Sequence, residues 1–299
     1  PACPATLAAG TVFFHTTTKA NPLVANTTSW VSQGISNYHA LELDLHRSFA
    51  NGFQFRGNYT WSKNLDNGSA WNTSVSANTP AYTMYPAEPD YDYGPSASDV
   101  RHLVAINGTY DLPFGANHRI GANLTPLVNH AVSGWTLSAI AAIQSGFPFS
   151  PQLGYNPTGS GDTRNPVRPN INPDFHGKLY PDTPTQFFDA SAFSAPAYGT
   201  FGNLGRDTLV GPNLANLDLS LHKSTKLGER LNAQFRAEFF NVLNHTNFAT
   251  PNPVVFSSGP SQGSVANQTA PVVASPTAGV ITSTATSSRQ VQFGLKLLF

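Results

Sequence analysis

Apolar and polar side chains alternate with a period of two in seven segments of this chain. This period places neighbouring side chains on opposite faces of a β-strand, so each segment is expected to have one apolar and one polar face. The pattern is least regular in the fourth segment. It predicts an all-β fold, an antiparallel sheet of about seven or eight strands. The segments are 41–46, 53–62, 104–112, 135–145, 217–222, 231–239 and 290–299.

The connections between these segments alternate between short and long. Short or intermediate connections are 50–52, 113–134 and 223–230, whereas the long ones are 63–99, 149–214 and 242–288. Transmembrane β-barrels show this asymmetry, with short periplasmic turns and long extracellular loops. If the last strand runs inward, every long loop lies outside the membrane. The rhythm therefore favours a transmembrane barrel over a soluble sandwich.

Two hairpins share a sequence pattern. Leu41–Ser48 (LELDLHRS) matches Leu217–Ser224 (LDLSLHKS), and the tripeptide Gln-Phe-Arg occurs at 54–56 and again at 234–236. Alternation alone explains the leucines, but it does not require the shared His-basic-Ser or Gln-Phe-Arg. We therefore expect one hairpin unit to be used twice.

Charged residues occupy the polar faces in mid-strand. On a lipid face a basic residue at mid-depth costs about 2–4 kcal/mol, so these side chains are expected to face a hydrated lumen. The candidate lumenal residues are Arg56, Arg236, Glu238, Glu42 and Asp44.

Aromatic residues lie near the predicted strand ends, where amphipathic rings suit the membrane interface. The expected girdle residues are Tyr59, Trp61, Tyr110, Trp135, Phe147 and Phe149. A sheet edge cannot face lipid, and seven strands do not close comfortably. Either an eighth strand at Thr11–Thr17 or Ser29–Ile35 completes the sheet, or the barrel is larger than this chain.

Composition narrows the function classes. The 16 basic and 16 acidic residues balance, and only 11% of residues are charged, so no nucleic-acid partner is expected. Cys3 is the only cysteine, which excludes an internal disulfide and a thiolate metal site. The apolar run 139–143 is far shorter than the roughly 20 residues of a membrane-spanning helix.

Catalytic and metal-binding patterns are weak. His46 and His222 share polar faces with Asp44 and Asp218, but neither face adds a second histidine or a cysteine, so we interpret them as solvated. The acidic run Glu88–Asp92 offers oxygen ligands for Ca²⁺ without the full spacing of a calcium loop. With no nucleophile motif or assignable carboxylate pair, we expect no enzyme activity, no cofactor and no metal.

The last segment, Arg289–Phe299, resembles the C-terminal strand that the barrel-assembly machinery reads, with Phe293, Leu295, Leu297 and Phe299 as the assembly signal. Several further stretches resemble the large TonB-dependent receptors of the Oar-like type, which often carry a carboxypeptidase-regulatory-like domain. These stretches are Asn37–Leu41, Tyr59–Lys63, Tyr110–Gly115, Gly134–Ser138, Gln144–Pro148, Gln234–Asn241 and Asn244–Phe248.

The resemblance implies a location in the outer membrane of a Gram-negative bacterium and a barrel of about 22 strands. Residues 37–299 would form its C-terminal strands and loops, and residues 1–36 an N-terminal loop or partial strand. Implied partners are outer-membrane lipid, the barrel-assembly machinery and an unknown small solute or glycan. The TonB complex would be reached only through a plug and N-terminal parts that this chain lacks. The alternative is a structural or adhesive outer-membrane barrel without a transport role.

Overall fold

The computed structural model describes residue 23 and residues 31–69, 83–85, 88–115, 120–121, 123–159, 167–227, 231–261 and 265–299. Seven long strands of this part of the chain form one antiparallel sheet in which sequence neighbours pair. Each predicted segment lies within one strand or overlaps it closely, so the seven-strand prediction is confirmed. The strands are β1 (Ser36–Ala50), β2 (Phe53–Asp66), β3 (His102–Asp111), β4 (Trp135–Gln144), β5 (Leu214–Lys226), β6 (Asn232–Phe240) and β7 (Gln290–Leu298).

The strand register separates the side chains into two faces, because directly opposed residues point to the same side of a sheet. One row runs from Leu45 through Gly57, Ile106 and Ala141 to Leu217. The neighbouring row starts with His46 and Arg56 and continues to Asn107. The irregular fourth segment is a full strand because β3 and β5 pair with it on both sides.

The two repeated hairpins pair in the same register. His46 is opposite Arg56 in β1–β2, and His222 is opposite Arg236 in β5–β6, which confirms that one hairpin unit is used twice. Their turns differ. Asn51 and Gly52 have φ angles of 54° and 77° and join β1 to β2 in a tight turn, as Asn-Gly favours.

The sheet is open within the described residues, since β1 pairs only with β2 and β7 only with β6. The eighth strand of the sheet is Gly94–Pro95, which pairs with Leu65 and Asp66 at the end of β2. The prediction of a strand at 29–35 is wrong for Val31–Ile35, which are irregular; 29–30 and Thr11–Thr17 lie outside the described residues.

Helical structure is limited to short segments. The α-helices are α1 (Pro126–Val132) and α2 (Val265–Gln268), and the 3₁₀ turns are Pro89–Asp92 and Ala190–Ala192. Among the described residues, neither helix has the length and hydropathy needed to cross a membrane.

The long connections 67–101, 145–213 and 241–289 meet at one end of the sheet, which we call the long-loop end; the opposite end is the short-turn end. Their described residues pack into what we call the loop cluster. Its short strands are Pro148–Phe149, Gln152–Leu153, Asn170–Ile171, Phe193–Ser194, Leu209–Val210, Val254–Ser258 and Val273–Ala274.

The hydrophobic core lies in the loop cluster. Both faces of the sheet remain accessible, whereas loop side chains bury one another. The buried core residues are Met84, Phe149, Leu153, Val167, Phe187, Phe188, Ala192, Phe193, Phe201, Leu204, Leu209 and Val255. The three long connections, which the sequence predicts as loops, therefore share a packed hydrophobic core.

Candidate functional site: the polar face of the sheet and the loop cluster above it

The five charged residues predicted for the lumen all lie on the polar face of the sheet. Glu42 and Asp44 are opposite Thr60 and Asn58, and Glu238 is opposite Ser220. These pairings place the five residues on the side opposite to the leucines of β1 and β5. The structure therefore agrees with the shared polar face that alternation predicted.

The charges form two groups, one on each repeated hairpin. On β1–β2, Arg56 Nε donates to Asp44 Oδ2 at 2.8 Å, and Asn58 Nδ2 donates to the same oxygen. On β6, Arg236 Nη1 lies 3.5 Å from Glu238 Oε1. Strands β3, β4 and β5 separate β2 from β6, a distance of about 19 Å at the usual strand spacing. The polar face therefore carries two separate groups of charged residues and not one cluster.

The histidines of the polar face lie beside cationic groups. His46 Nδ1 is 3.6 Å from Asp44 Oδ1, but Arg56 is directly opposite His46, and Arg236 is opposite His222. A guanidinium on the residue directly opposite a histidine opposes binding of a metal cation there. No group of three or more His, Cys, Asp or Glu side chains in the described part of the chain could hold a metal ion.

A cavity of about 230 Å³ opens on the polar face at the long-loop end. We call it the rim pocket. Its lining combines hydroxyl, amide and apolar groups. Ser62 Oγ donates to the Val100 carbonyl at 2.8 Å, and this bond joins β2 to the long connection that follows it. The lining residues are Tyr38, Thr60, Ser62, Asn64, Ser98, Val100 and Leu103. The pocket therefore suits a small neutral polar group.

A buried ion pair holds the loop cluster to the end of β2. Arg206 is 5% exposed, and its Nη1 donates to Asp66 Oδ1 at 2.7 Å. Asp66 lies beyond Trp61, the last β2 residue that pairs with β3. Burial disfavours the charged carboxylate, but hydrogen bonds from Arg206 and Ser69 outweigh that effect and lower the pKa of Asp66 to about 2. Asp66 is therefore ionised at neutral pH.

A second buried ion pair joins Arg168 to Asp92. Arg168 Nε also donates to the Leu204 carbonyl at 2.8 Å, and the Met84 amide donates to Asp92 Oδ2 at 2.7 Å. Asp92 is thus neutralised by a guanidinium, and Asp90 instead accepts a bond from Asn67. The calcium alternative for this acidic run loses Asp92 as a ligand, because both of its carboxylate oxygens are engaged by Arg168 and the Met84 amide.

Sequence reasoning missed both buried arginines. Their partners lie 76 and 140 residues away along the chain, so no local spacing links them. The one available signal is an arginine within an apolar, glycine-rich segment, as in Phe201–Val210. Charged side chains in such segments are buried only when they are paired.

Aromatic rings line the apolar face at the short-turn end. Phe53 packs edge-on against Tyr110 with ring centroids 6.1 Å apart, and Trp135 packs against Phe235 at 6.0 Å. Phe235 in turn stacks on Phe293 at 6.3 Å. The rings form a band along the rim, as expected at a membrane interface.

Tyr59 and Trp61 provide the corresponding rings at the long-loop end, where Tyr59 Oη lies 2.9 Å from His102 Nδ1. The assembly-signal residues also lie on this apolar face, and Phe293 and Leu295 are 67% and 71% exposed. A sheet that exposes such a face to water would aggregate, so lipid must cover it. A family model described as "Outer membrane beta barrel domain" matches residues 2–292.

The chain belongs to this outer membrane β-barrel family. No curated protein and no solved structure matches it. Membership places the barrel domain in the bacterial outer membrane. Transmembrane barrels turn the apolar side of each strand toward lipid, so the polar face is expected to line the lumen. The long-loop end is extracellular and the short-turn end periplasmic.

One girdle residue was assigned wrongly. Phe149 is fully buried and packs against Phe188 at a centroid distance of 5.8 Å, so it belongs to the core of the loop cluster. The error arose because Phe149 follows the end of β4, where alternation no longer indicates which side a residue faces. Phe147 is half-buried beside it.

Proposed function

We propose that this barrel domain is the C-terminal part of a TonB-dependent outer-membrane receptor that takes up a solute. One observation carries the proposal. Every second residue of β2, from Thr60 at the rim pocket to Gln54 near the periplasmic turn, carries a hydrogen-bonding group on the polar face and is at least partly exposed. Asn58 and Arg56 complete this column. A polar solute leaving the rim pocket would find successive partners along it.

Arg56 of this column is paired with Asp44 of the neighbouring strand β1, so the path offers both signs of charge. This supports a neutral or zwitterionic polar solute over a strongly charged one. A glycan fragment or a metal chelate has this chemistry. The motifs that resemble Oar-like receptors imply that energy coupling would come from a plug and a TonB-contacting segment. The barrel itself supplies a path and needs no catalytic group.

Uptake by cells that express the complete gene tests this proposal. The probes are a radioactive ferric hydroxamate chelate and a fluorescently labelled oligosaccharide, each supplied with and without an uncoupler of the proton-motive force. Accumulation that stops with the uncoupler supports a TonB-dependent receptor. Uptake that is unchanged by the uncoupler indicates a passive pore. Surface binding without uptake indicates the adhesive alternative. Either result contradicts the proposal.

The rim pocket can be tested by a matched pair of isosteric substitutions. Thr60→Val removes a hydroxyl from the pocket, whereas Thr109→Val removes one from the same lumenal face outside it. We expect Thr60→Val to raise the concentration for half-maximal uptake several-fold and Thr109→Val to leave it nearly unchanged. Equal effects of both would remove the pocket from the uptake path.

Assembly by the barrel-assembly machinery is part of the same proposal. Phe299 is 95% exposed at the end of the chain, so its loss removes little packing within the described residues. We expect deletion of Phe299 to lower the amount of protein in the outer membrane while the folded remainder keeps its stability. Normal outer-membrane levels, measured after membrane fractionation, would argue against a signal in this residue.

A further inference from the structure

The periplasmic connection between β3 and β4 presents an exposed apolar stripe. Leu127, Val128 and Ala131 of α1 follow the spacing i, i+1, i+4 of one helix face, and Leu124 lies in the turn before the extended N-cap residue Thr125. All four are exposed, and Leu127 is 83% exposed. In a water-facing turn such a stripe would be unfavourable.

The C-terminal end of α1 is held against the lipid-facing side of the barrel. Lys223 is directly opposite Trp135 on one side and Phe235 on the other, so it shares their face. Its Nζ donates to the carbonyls of Ala131 at 2.8 Å and Ser133 at 2.9 Å, and also to that of His130. These bonds satisfy carbonyls that the end of a helix leaves unpaired.

Trp135 provides a second attachment. Its Nε1 donates to the Ala131 carbonyl at 3.0 Å, and Lys223 Nζ lies 5.3 Å from the centre of its ring. Because Trp135 also packs against Phe235 in the periplasmic aromatic band, α1 continues that band. The stripe is therefore contiguous with a surface that lipid already covers.

The described residues of this connection that precede α1 pack against the end of the helix. Gly115 has a φ of 108°, and a Cβ at this position would lie 2.6 Å from Ser133 Cβ. The Gly115 amide also bonds the Ile120 carbonyl at 2.8 Å. Only glycine allows this approach, which closes the connection onto the end of the helix.

The charge of the connection suits the surface of a bilayer. Residues 112–134 contain Arg119 and two histidines but no Asp or Glu. Anionic phospholipid headgroups attract basic residues and repel carboxylates. An apolar stripe, an aromatic neighbour and the absence of acidic residues together are typical of a helix that lies in a membrane interface.

We propose that α1 is an interfacial anchor that lies in the headgroup region of the periplasmic leaflet, with its apolar stripe at the boundary of the acyl chains. Lipid covers the apolar stripe, because the stripe is joined through Trp135 and Lys223 to the aromatic band on the lipid-facing side of the sheet. The anchor fixes the depth of β3, β4 and β5 in the bilayer. This inference does not depend on whether the barrel transports a solute.

Spin labels on single cysteines test the anchor in the full chain. On a Cys3→Ser background, Leu127→Cys carries the label in the stripe, His130→Cys carries it outside the stripe, and Leu295→Cys is the lipid-facing reference. The protein is reconstituted in vesicles of phosphatidylethanolamine and phosphatidylglycerol. Accessibility to oxygen, which partitions into lipid, is compared with accessibility to a water-soluble nickel chelate.

We expect the oxygen-to-nickel ratio at position 127 to be several-fold higher than at 130 and closer to that at 295. Equal ratios at 127 and 130 would place the stripe in water and overturn the proposal. Low accessibility of position 127 to both reagents would show that a protein surface covers the stripe, which also overturns it. Heat-dependent migration in gels verifies that each labelled variant is folded.

Discussion

The loop cluster and the seven-stranded sheet β1–β7, which we call the wall, use the same kinds of side chain in opposite ways. Phe188 in the loop cluster is fully buried, whereas Phe293 in the wall is 67% exposed. The loop cluster is stabilised like a small water-soluble domain, by burial of apolar groups against one another. The wall has backbone pairing within the sheet but depends on lipid to cover its apolar face.

Ion pairs show the same difference. The side chains of Arg206 and Asp66 are 5% and 10% exposed, whereas those of Arg56 and Asp44 on the polar face of the sheet are 62% and 38% exposed. Removing one partner of a buried ion pair leaves the other charge without compensation. When an exposed partner is removed, water solvates the charge that remains. The two regions should therefore respond differently to the same substitution.

The largest effect is expected from Arg206→Ala. It leaves the Asp66 carboxylate buried and unpaired, which costs about 3–5 kcal/mol of local stability. Limited proteolysis of the reconstituted protein should cut the extracellular loops faster, while the heat-dependent gel migration of the wall is unchanged. Arg236→Ala, which removes an exposed lumenal cation, is the control and should leave the loops protected. Loss of the folded wall in Arg206→Ala would mean that the two regions are not independent.

Phenylalanine truncation compares the two regions directly. Phe188→Ala should destabilise the loop cluster by about 3–5 kcal/mol, because a cavity remains in a closed core. Phe293→Ala should destabilise the wall by about 1.5–3 kcal/mol or less, because lipid fills the space and the cavity contribution is absent. Urea unfolding in lipid vesicles, followed with probes in each region, measures both values. Equal losses would contradict the contrast.

Acid should loosen the loop cluster before the wall. The pKa of Asp66 is lowered from 3.8 to about 2, so its contribution is fully present above pH 4 and is lost as the pH falls toward 2. Hydrogen exchange of the loop amides should accelerate over this interval in the native protein. In Asp66→Asn this acid-dependent change should disappear. An unchanged acid response in that variant would assign the loosening to another group.

The smallest effect is expected from Asp44→Asn on the polar face of the sheet. The side chains of Arg56 and His46 around it are exposed and can be solvated when the carboxylate is removed. We expect no measurable change in urea unfolding or loop proteolysis, although the charge of the lumen changes. A clear loss of stability would show that lumenal ion pairs hold the wall together.

The alternation of apolar and polar residues in the sequence determined which segments form the strands of the wall and which side each residue faces. It identified the seven strands, the polar face with Arg56 and Arg236, and the apolar face of β7, because a strand assigns each residue to a side independently of the rest of the protein. The loop lengths determined which end is extracellular. Alternation also became unreliable where strands end, as the wrong assignment of Phe149 shows.

Only the tertiary structure decided how the extracellular connections fold and where α1 lies. Asp66 and Arg206 meet across 140 residues, and Lys223 reaches the carbonyls of His130 and Ala131 from a different strand. Such contacts have no sequence period, because irregular segments place each side chain by local turns and by long-range packing. Alternation therefore determined which face of the wall meets lipid, and packing between distant segments determined the core of the loop cluster.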